Sequence, residues 1–140
     1  MPSASASVDL NQPPSAVWEL IGGFGSLPDW SLGVSSSELT HGGRLRHLRV
    51  HDGALIVERL LAFDERNRTY TYTIVESPLP VTDYFSTLRV LPGPTDAESR
   101  VEWSGTFVPH IVSVDQATAV VQKIYDDGLA SLVAHYAGGA

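Results

Sequence analysis

Residues 113–136 read SVDQATAVVQKIYDDGLASLVAHY, and this stretch decides the architecture. Ser113 followed by Gln116 has the form of a capping box, in which each side chain satisfies a backbone N–H near the other. Ala117, Val121, Ile124, Gly128 and Leu132 then recur at helical spacing as far as Tyr136, before Gly138 and Gly139 stop the helix. About 23 residues at about 1.5 Å each span about 35 Å, enough to cross a whole small sheet.

The sequence upstream supplies that sheet. From Val34 to Phe107 the chain breaks into six short runs rich in Val, Leu, Thr, Tyr and Phe. They are separated by His41-Gly42-Gly43, His51-Asp52-Gly53, Asp64 to Arg68, Pro78-Leu79-Pro80 and Leu91 to Ser99. Connections this short force antiparallel neighbours, because a parallel crossover needs about a dozen residues or more. Residues 3–11 alternate as an edge strand does, and a helix follows, with Asn11 as cap, Pro13 and Pro14 in the first turn, and Val17, Leu20, Ile21 and Phe24 on one face. FGSLPDW, residues 24–30, is short and broken, with room for one more turn or short helix bounded at Pro28. The expected class is α+β: a curved antiparallel sheet of about seven strands gripping one long C-terminal helix, with two short helices after the first strand, as a single ligand-binding domain over residues 1–140. One straight helix cannot fill a strongly curved sheet across its width, so a cavity is expected between them, plugged at one end by the short helices and gated at the other by loops.

Composition bounds the chemistry. The 140 residues carry 9 Lys plus Arg against 16 Asp plus Glu, a formal charge of −7, and no cysteine. That balance argues against nucleic acid and anionic membranes as partners, since phosphate binding needs a basic footprint. No apolar run is long enough for a membrane span and Met1 to Val8 does not read as a signal peptide, so a cytoplasmic protein is expected. The five histidines, His41, His47, His51, His110 and His135, make no metal motif. His47 and His51 share a strand face but stand about 13 Å apart, too far for one ion. Gly22-Gly23-Phe24-Gly25 follows a helix, where a dinucleotide loop follows a strand, and no nucleophile elbow is present. Neither a metal nor a cofactor is expected. Six of the nine basic residues, Arg44, Arg46, Arg49, Arg59, Arg66 and Arg68, fall in one segment, expected to decorate the solvent side of the sheet.

Strand alternation sorts the side chains, because positions two apart share a face. Val101, Trp103, Gly105 and Phe107 face the helix, and by the same test so do Tyr84, Ser86, Leu88 and Val90, then Tyr70, Tyr72 and Ile74, then Arg46, Leu48 and Val50. Asp83, Arg89, Arg49 and His47 point out. The run Leu55 to Phe63 is ambiguous: Leu55, Val57, Leu61 and Phe63 make one apolar face and Ile56, Leu60 and Ala62 the other, so periodicity does not place Glu58. Trp30 and Trp103 suit a flat wall for an aromatic ligand, and equally suit a core with no ligand at all.

The segments Pro13-Pro14-Ser15-Ala16-Val17-Trp18, Leu27-Pro28-Asp29-Trp30, Glu58-Arg59-Leu60, Tyr70-Thr71-Tyr72, Asp83-Tyr84 and Val101 to Phe107, in this order, resemble the START-like or SRPBCC superfamily, in particular its bacterial polyketide cyclase/dehydrase branch with a helix-grip fold. The resemblance covers about residues 3–137 and is specific for fold more than for activity. It implies that Glu58 faces the pocket, where it would meet Arg46 on the next strand as a buried or half-buried ion pair. Two functions follow. In the first, an enzyme of cyclase or dehydratase type performs cofactor-free acid/base chemistry on a polyketide-like or aromatic substrate, with Glu58 as general base and Arg46 and the Tyr72 hydroxyl steadying the enolate. In the second, a carrier or sensor holds a hydrophobic small molecule unchanged and the ion pair is purely structural. The expected lining is Trp30, Leu48, Tyr70, Tyr84, Leu88, Trp103, Phe107, Val121 and Ile124, and the resemblance adds the expectation of a homodimer.

Overall fold

In the computed structural model, residues 1–138 are described. The elements run β1 (Ser3–Leu10), α1 (Pro14–Ile21), α2 (Leu27–Trp30), β2 (Val34–Thr40), β3 (Leu45–Val50), β4 (Leu55–Asp64), β5 (Thr69–Glu76), β6 (Val81–Pro92), β7 (Ser99–Pro109) and α3 (Val114–Gly138). All seven strands form one antiparallel sheet in the order β1-β7-β6-β5-β4-β3-β2. Short turns make the meander from β2 to β7, and the two short helices carry the chain from one edge of the sheet to the other. The α+β architecture, the strand count and the helix order are those expected, and the fold is a helix-grip.

Local chemistry accounts for the boundaries and for three departures. The capping box forms as read: Gln116 N donates to Ser113 Oγ at 3.1 Å and Ser113 N to Gln116 Oε1 at 2.9 Å. At its other end α3 reaches Gly138 itself, one of the two expected stops, while Gly139 lies outside the described residues. Helix α1 is not capped by Asn11; Pro13 occupies the cap position with no side-chain bond, because its fixed φ of −65° already suits the entry. Pro28 does not end α2 but sits in its first turn, where a missing N–H costs nothing.

Strand β4 resolves the ambiguous run in favour of the face that carries Ile56, Glu58 and Leu60. Irregularities in its pairing with β5 fall between Val57 and Glu58, where Val75 of β5 is the extra residue, and between Leu60 and Ala62, where Leu61 is. Val57, next to Glu58, is buried as well, while Leu61 and Phe63 remain about half exposed, at 47 % and 45 %. Glu58 thus keeps the alternation of Ile56 and Leu60, one of the two faces the sequence left open.

Helix α3 lies over β1 and β7, toward one side of the concave face. Ala117, Val121, Tyr125, Leu129 and Leu132 are its buried row, with Trp103 stacked on Tyr125 at 4.9 Å between ring centroids. Ile124 is only partly buried, so the apolar face is rotated slightly from the one expected. The close approach depends on two glycines: a Cβ on Gly105 would come 2.2 Å from the Tyr125 hydroxyl, and one on Gly128 would come 2.5 Å from the Trp103 ring. Alanine in place of glycine inside a helix ordinarily gains about 1 kcal/mol. At position 128 the sign reverses, because a fused ring held on both faces cannot yield: Gly128→Ala lowers stability by about 1–3 kcal/mol, read as a drop in the denaturation midpoint in urea.

Candidate functional site

Over β3, β4 and β5 the concave face is left open by the offset of α3, and a cavity of about 200 Å³ lies there. Its depth is set by one hairpin. Gly53, at φ +89°, lets the turn after β3 close tightly, with Gly53 N donating to Val50 O at 2.9 Å and Ala54 N to Asp52 Oδ1 at 2.8 Å. That turn fixes the register in which Arg46 pairs directly with Glu58. Glu58 faces inward on the same side of β4 as Ile56, and the two side chains meet.

Arg46 is fully enclosed and Glu58 is 6 % exposed. Arg46 Nε donates to Glu58 Oε1 at 2.8 Å, and Nη2 lies 2.7 Å from the same oxygen without a directed hydrogen bond. Nη1 donates to the carbonyl of Phe24 at 3.1 Å and to the Tyr70 hydroxyl at 3.2 Å. The guanidinium also lies against the rings of Phe24, Tyr72 and Tyr70, at 4.2, 4.6 and 5.7 Å from their centroids. Such packing keeps a planar cation in place after its water is gone. Both Arg46 nitrogens crowd Oε1, and among the described residues nothing donates to Glu58 Oε2. The carboxylate is held by one oxygen and leaves the other to the cavity.

Burial raises the Glu58 pKa above the ordinary glutamate value, and the charge and hydrogen bond of Arg46 pull against that rise without cancelling it. For Arg46, burial works against the charge, but Tyr70 and Glu58 more than offset it, so the guanidinium stays protonated. The tyrosines go the same way as Glu58: burial lifts Tyr72 and Tyr84 well above the ordinary phenol value, and Tyr125 up to about 12.

Of the sequence-derived site residues, Glu58, Arg46, Tyr72, Leu48, Tyr84, Trp103 and Ile124 line this cavity. Trp30, Tyr70, Leu88, Phe107 and Val121 do not; each is buried in the closed part of the core, Leu88, Phe107 and Val121 with no exposure at all. Their inward direction was read correctly, but α3 and the short helices cover that half of the sheet, so inward means packed. Tyr70 acts indirectly, by accepting from Arg46. The arginine-rich segment divides likewise: Arg44, Arg49, Arg59 and Arg66 are exposed and Arg68 is half-buried, whereas Arg46 is not on the solvent side. His110 is exposed in the loop before α3. Tyr125 and Phe24 were missed as site-forming residues. The signal for Tyr125 was present, since it falls four residues after Val121 on the buried row; no signal foretold that the Phe24 carbonyl would receive Arg46. Asp127 and Gly128 also reach the lining from α3. Among the described residues no cluster of His, Asp and Glu could hold a metal ion, and no helix is long and apolar enough to cross a membrane.

Three comparisons bear on identity. XoxI from Bacillus cereus is 48 % identical over 95 % of this chain and 94 % of its own, with a TM-score of 0.93. An uncharacterized protein from Bacillus thuringiensis is 47 % identical over 96 % of this chain and 98 % of its own, with a TM-score of 0.94. The Zhui aromatase/cyclase from Streptomyces sp. R1128 shares the fold, at a TM-score of 0.80 over 95 % of this chain and 92 % of its own, with 16 % identity. Residues 1–137 match the family described as polyketide cyclase / dehydrase and lipid transport, and the chain, with its helix-grip fold and a cavity lined by a buried ion pair, belongs to that family.

Proposed function

We propose that the chain is a single ligand-binding domain that acts as a cofactor-free acid/base enzyme of cyclase or dehydratase type, on a free aromatic or polyketide-like small molecule. The single observation that carries the reading is the free oxygen of Glu58: a buried carboxylate pinned through Oε1 and open at Oε2. A carbon acid bound beside it loses its proton to Oε2, the electron pair moves onto the adjacent carbonyl oxygen, and the Tyr72 hydroxyl steadies the enolate so formed. The enolate carbon then closes on a second carbonyl, whose oxygen takes the proton back from Glu58, or the enolate expels a β-hydroxyl, which leaves as water with that same proton. Arg46, occupied on Glu58, Tyr70 and the Phe24 carbonyl, is better suited to positioning the base than to holding the enolate. Volume supports a small substrate: a cavity of about 150 Å³ accepts benzene, so about 200 Å³ suits one or two fused rings. The charge of −7 disfavours a substrate tethered to an acidic carrier, and nucleic acid. A cytoplasmic location and a homodimer belong to the same proposal.

The second reading is a carrier or sensor of a hydrophobic molecule. What favours it is the predominance of apolar side chains in the lining, among them Leu27, Leu48, Val50, Ile56, Ile74 and Leu79.

Proton exchange separates the two. The wild-type protein is expected to accelerate hydrogen–deuterium exchange at the α-carbon of 2-tetralone, a bicyclic ketone of suitable size, and Glu58→Gln to retain binding while losing about 10²-fold or more of that rate. Binding without acceleration in the wild type would leave the carrier. Because Glu58 holds its proton to a higher pH than a free carboxyl, the exchange rate should climb with pH through a midpoint above the ordinary glutamate value. The same shift has a consequence that needs no ligand. A glutamate whose pKa is higher folded than unfolded stabilises the protein at low pH, and that contribution is lost as pH rises through the folded pKa. The stability of the wild type relative to Glu58→Gln should therefore fall as pH rises through that midpoint, measured by urea denaturation of both proteins; a rise would mean that Arg46 outweighs burial.

A further inference from the structure

The direction of the hydroxyl chain behind the cavity wall turns on where Ser86 places its one proton. With that proton on the carbonyl oxygen of Ser104, 3.0 Å away and able only to accept, the rest of the chain follows. Tyr125 Oη, 2.9 Å from Ser86 Oγ, must then donate to it. Tyr84 Oη, 2.5 Å from Tyr125 Oη, must in turn donate to Tyr125. Trp103 Nε1 can only donate, and it is shared between Ser86 Oγ at 3.2 Å and Tyr72 Oη at 3.1 Å. The chain of donors thus runs one way, from Tyr84 at the cavity through Tyr125 and Ser86 to the backbone of β7. Tyr72 stands apart from it: its oxygen receives the indole N–H, and among the described residues nothing accepts its proton. With burial holding Tyr84 and Tyr125 neutral near pH 7, every proton in this scheme is present.

We propose that this relay fixes the polarity of the cavity, with Tyr84 able only to accept and Tyr72 offering its O–H, so that the site selects ligands carrying a carbonyl for Tyr72 and a separate hydroxyl for Tyr84. Tyr72 and Tyr84 both line the cavity, whereas Tyr125 and Ser86 do not, so these two are positioning residues that set the specificity from behind the wall. The inference rests on the reading of the cavity as a ligand site and extends it to the pattern of donors and acceptors the ligand must carry. A ligand hydroxyl donates to Tyr84, whereas an ether oxygen in the same place finds no donor there, because the Tyr84 proton is committed elsewhere.

Three probes of one skeleton test it: 3-hydroxyacetophenone, 3-methoxyacetophenone, which keeps an acceptor at that position but lacks the donor, and 3-ethylphenol, which lacks the ketone. Titration calorimetry on the wild type should rank 3-hydroxyacetophenone above both by roughly threefold to tenfold. Tyr125→Phe frees the Tyr84 proton to meet the methoxy oxygen, so the advantage over 3-methoxyacetophenone should fall toward unity while the advantage over 3-ethylphenol, which depends on Tyr72, persists. Ser86→Ala, which leaves Tyr125 without its acceptor and the Tyr84–Tyr125 bond without a fixed direction, should reduce the same ratio and serves where Tyr125→Phe fails to fold. A loss of affinity for all three probes in equal proportion, or ratios unchanged in both variants, would overturn the relay while leaving the ligand site standing. No binding of any probe by the wild type would overturn the ligand-site reading and the relay with it.

Discussion

The buried pairing of Arg46 with Glu58 is the constraint on which the rest of the structure depends. Two charges taken out of water cost several kcal/mol each, and a bare ion pair recovers that only with good geometry and partners for the remaining groups. Here the remaining groups come from two places. The Phe24 carbonyl comes from the segment between α1 and α2, and Tyr70 and Tyr72 come from β5, beside the strand that carries Glu58. If Arg46 is to be satisfied, α1 must end where Phe24 can lie on the guanidinium, and β5 must sit in register beside β4. The short helices are thus tied to the sheet by a polar contact as well as by the burial of Val17, Trp18 and Ile21.

Most of the architecture was legible because it rests on local rules. The capping box, the short antiparallel turns and the alternation of β3, β5, β6 and β7 each obey a periodicity visible in the chain, and the inward rows read from them are buried except at Val50 and Ile74, which are partly exposed at the cavity. Strand β4 was not legible from pattern alone. Both of its faces carry apolar side chains, so counting in twos offers two equal choices, and Glu58 was placed through the resemblance of the Glu-Arg-Leu segment to a known family. The second limit was tertiary. Alternation tells which face of the sheet a side chain takes, and says nothing of whether the helix covers that part of the face. Leu88 and Phe107 lie under cover and Leu48 does not, though all three point inward.

That division of the concave face is itself a consequence of side-chain size. Helix α3 comes close over β7 because Gly105 and Gly128 leave room for Tyr125 and Trp103, and the large stacked rings then fill the space on that side. On the other side β3 and β4 present Leu48, Val50 and Ile56, none of which reaches the helix. One straight element against a curved sheet must leave such a gap somewhere, and the two glycines decide on which side it falls.

The two flanks of the gap are fixed in different ways, and the difference matters for chemistry. On the β3–β4 side, order comes from charge: Arg46 cannot leave Oε1 without stranding a cation in a dry core, so Oε2 is held in one direction without being occupied. On the β6–β7 side, order comes from counting protons among neutral hydroxyls, which cost less to bury and are easier to rearrange. Tyr72 lies between, against the guanidinium through its ring and the Trp103 indole through its oxygen. A charged group that must not drift is thus tied by charge, whereas the neutral hydroxyls of the other flank are tied by hydrogen bonds that a single methyl or hydroxyl change can redirect. Under the function proposed above, altering Ser86 or Tyr125 while keeping the Arg46–Glu58 pair would leave the base in place and change which ligand is accepted.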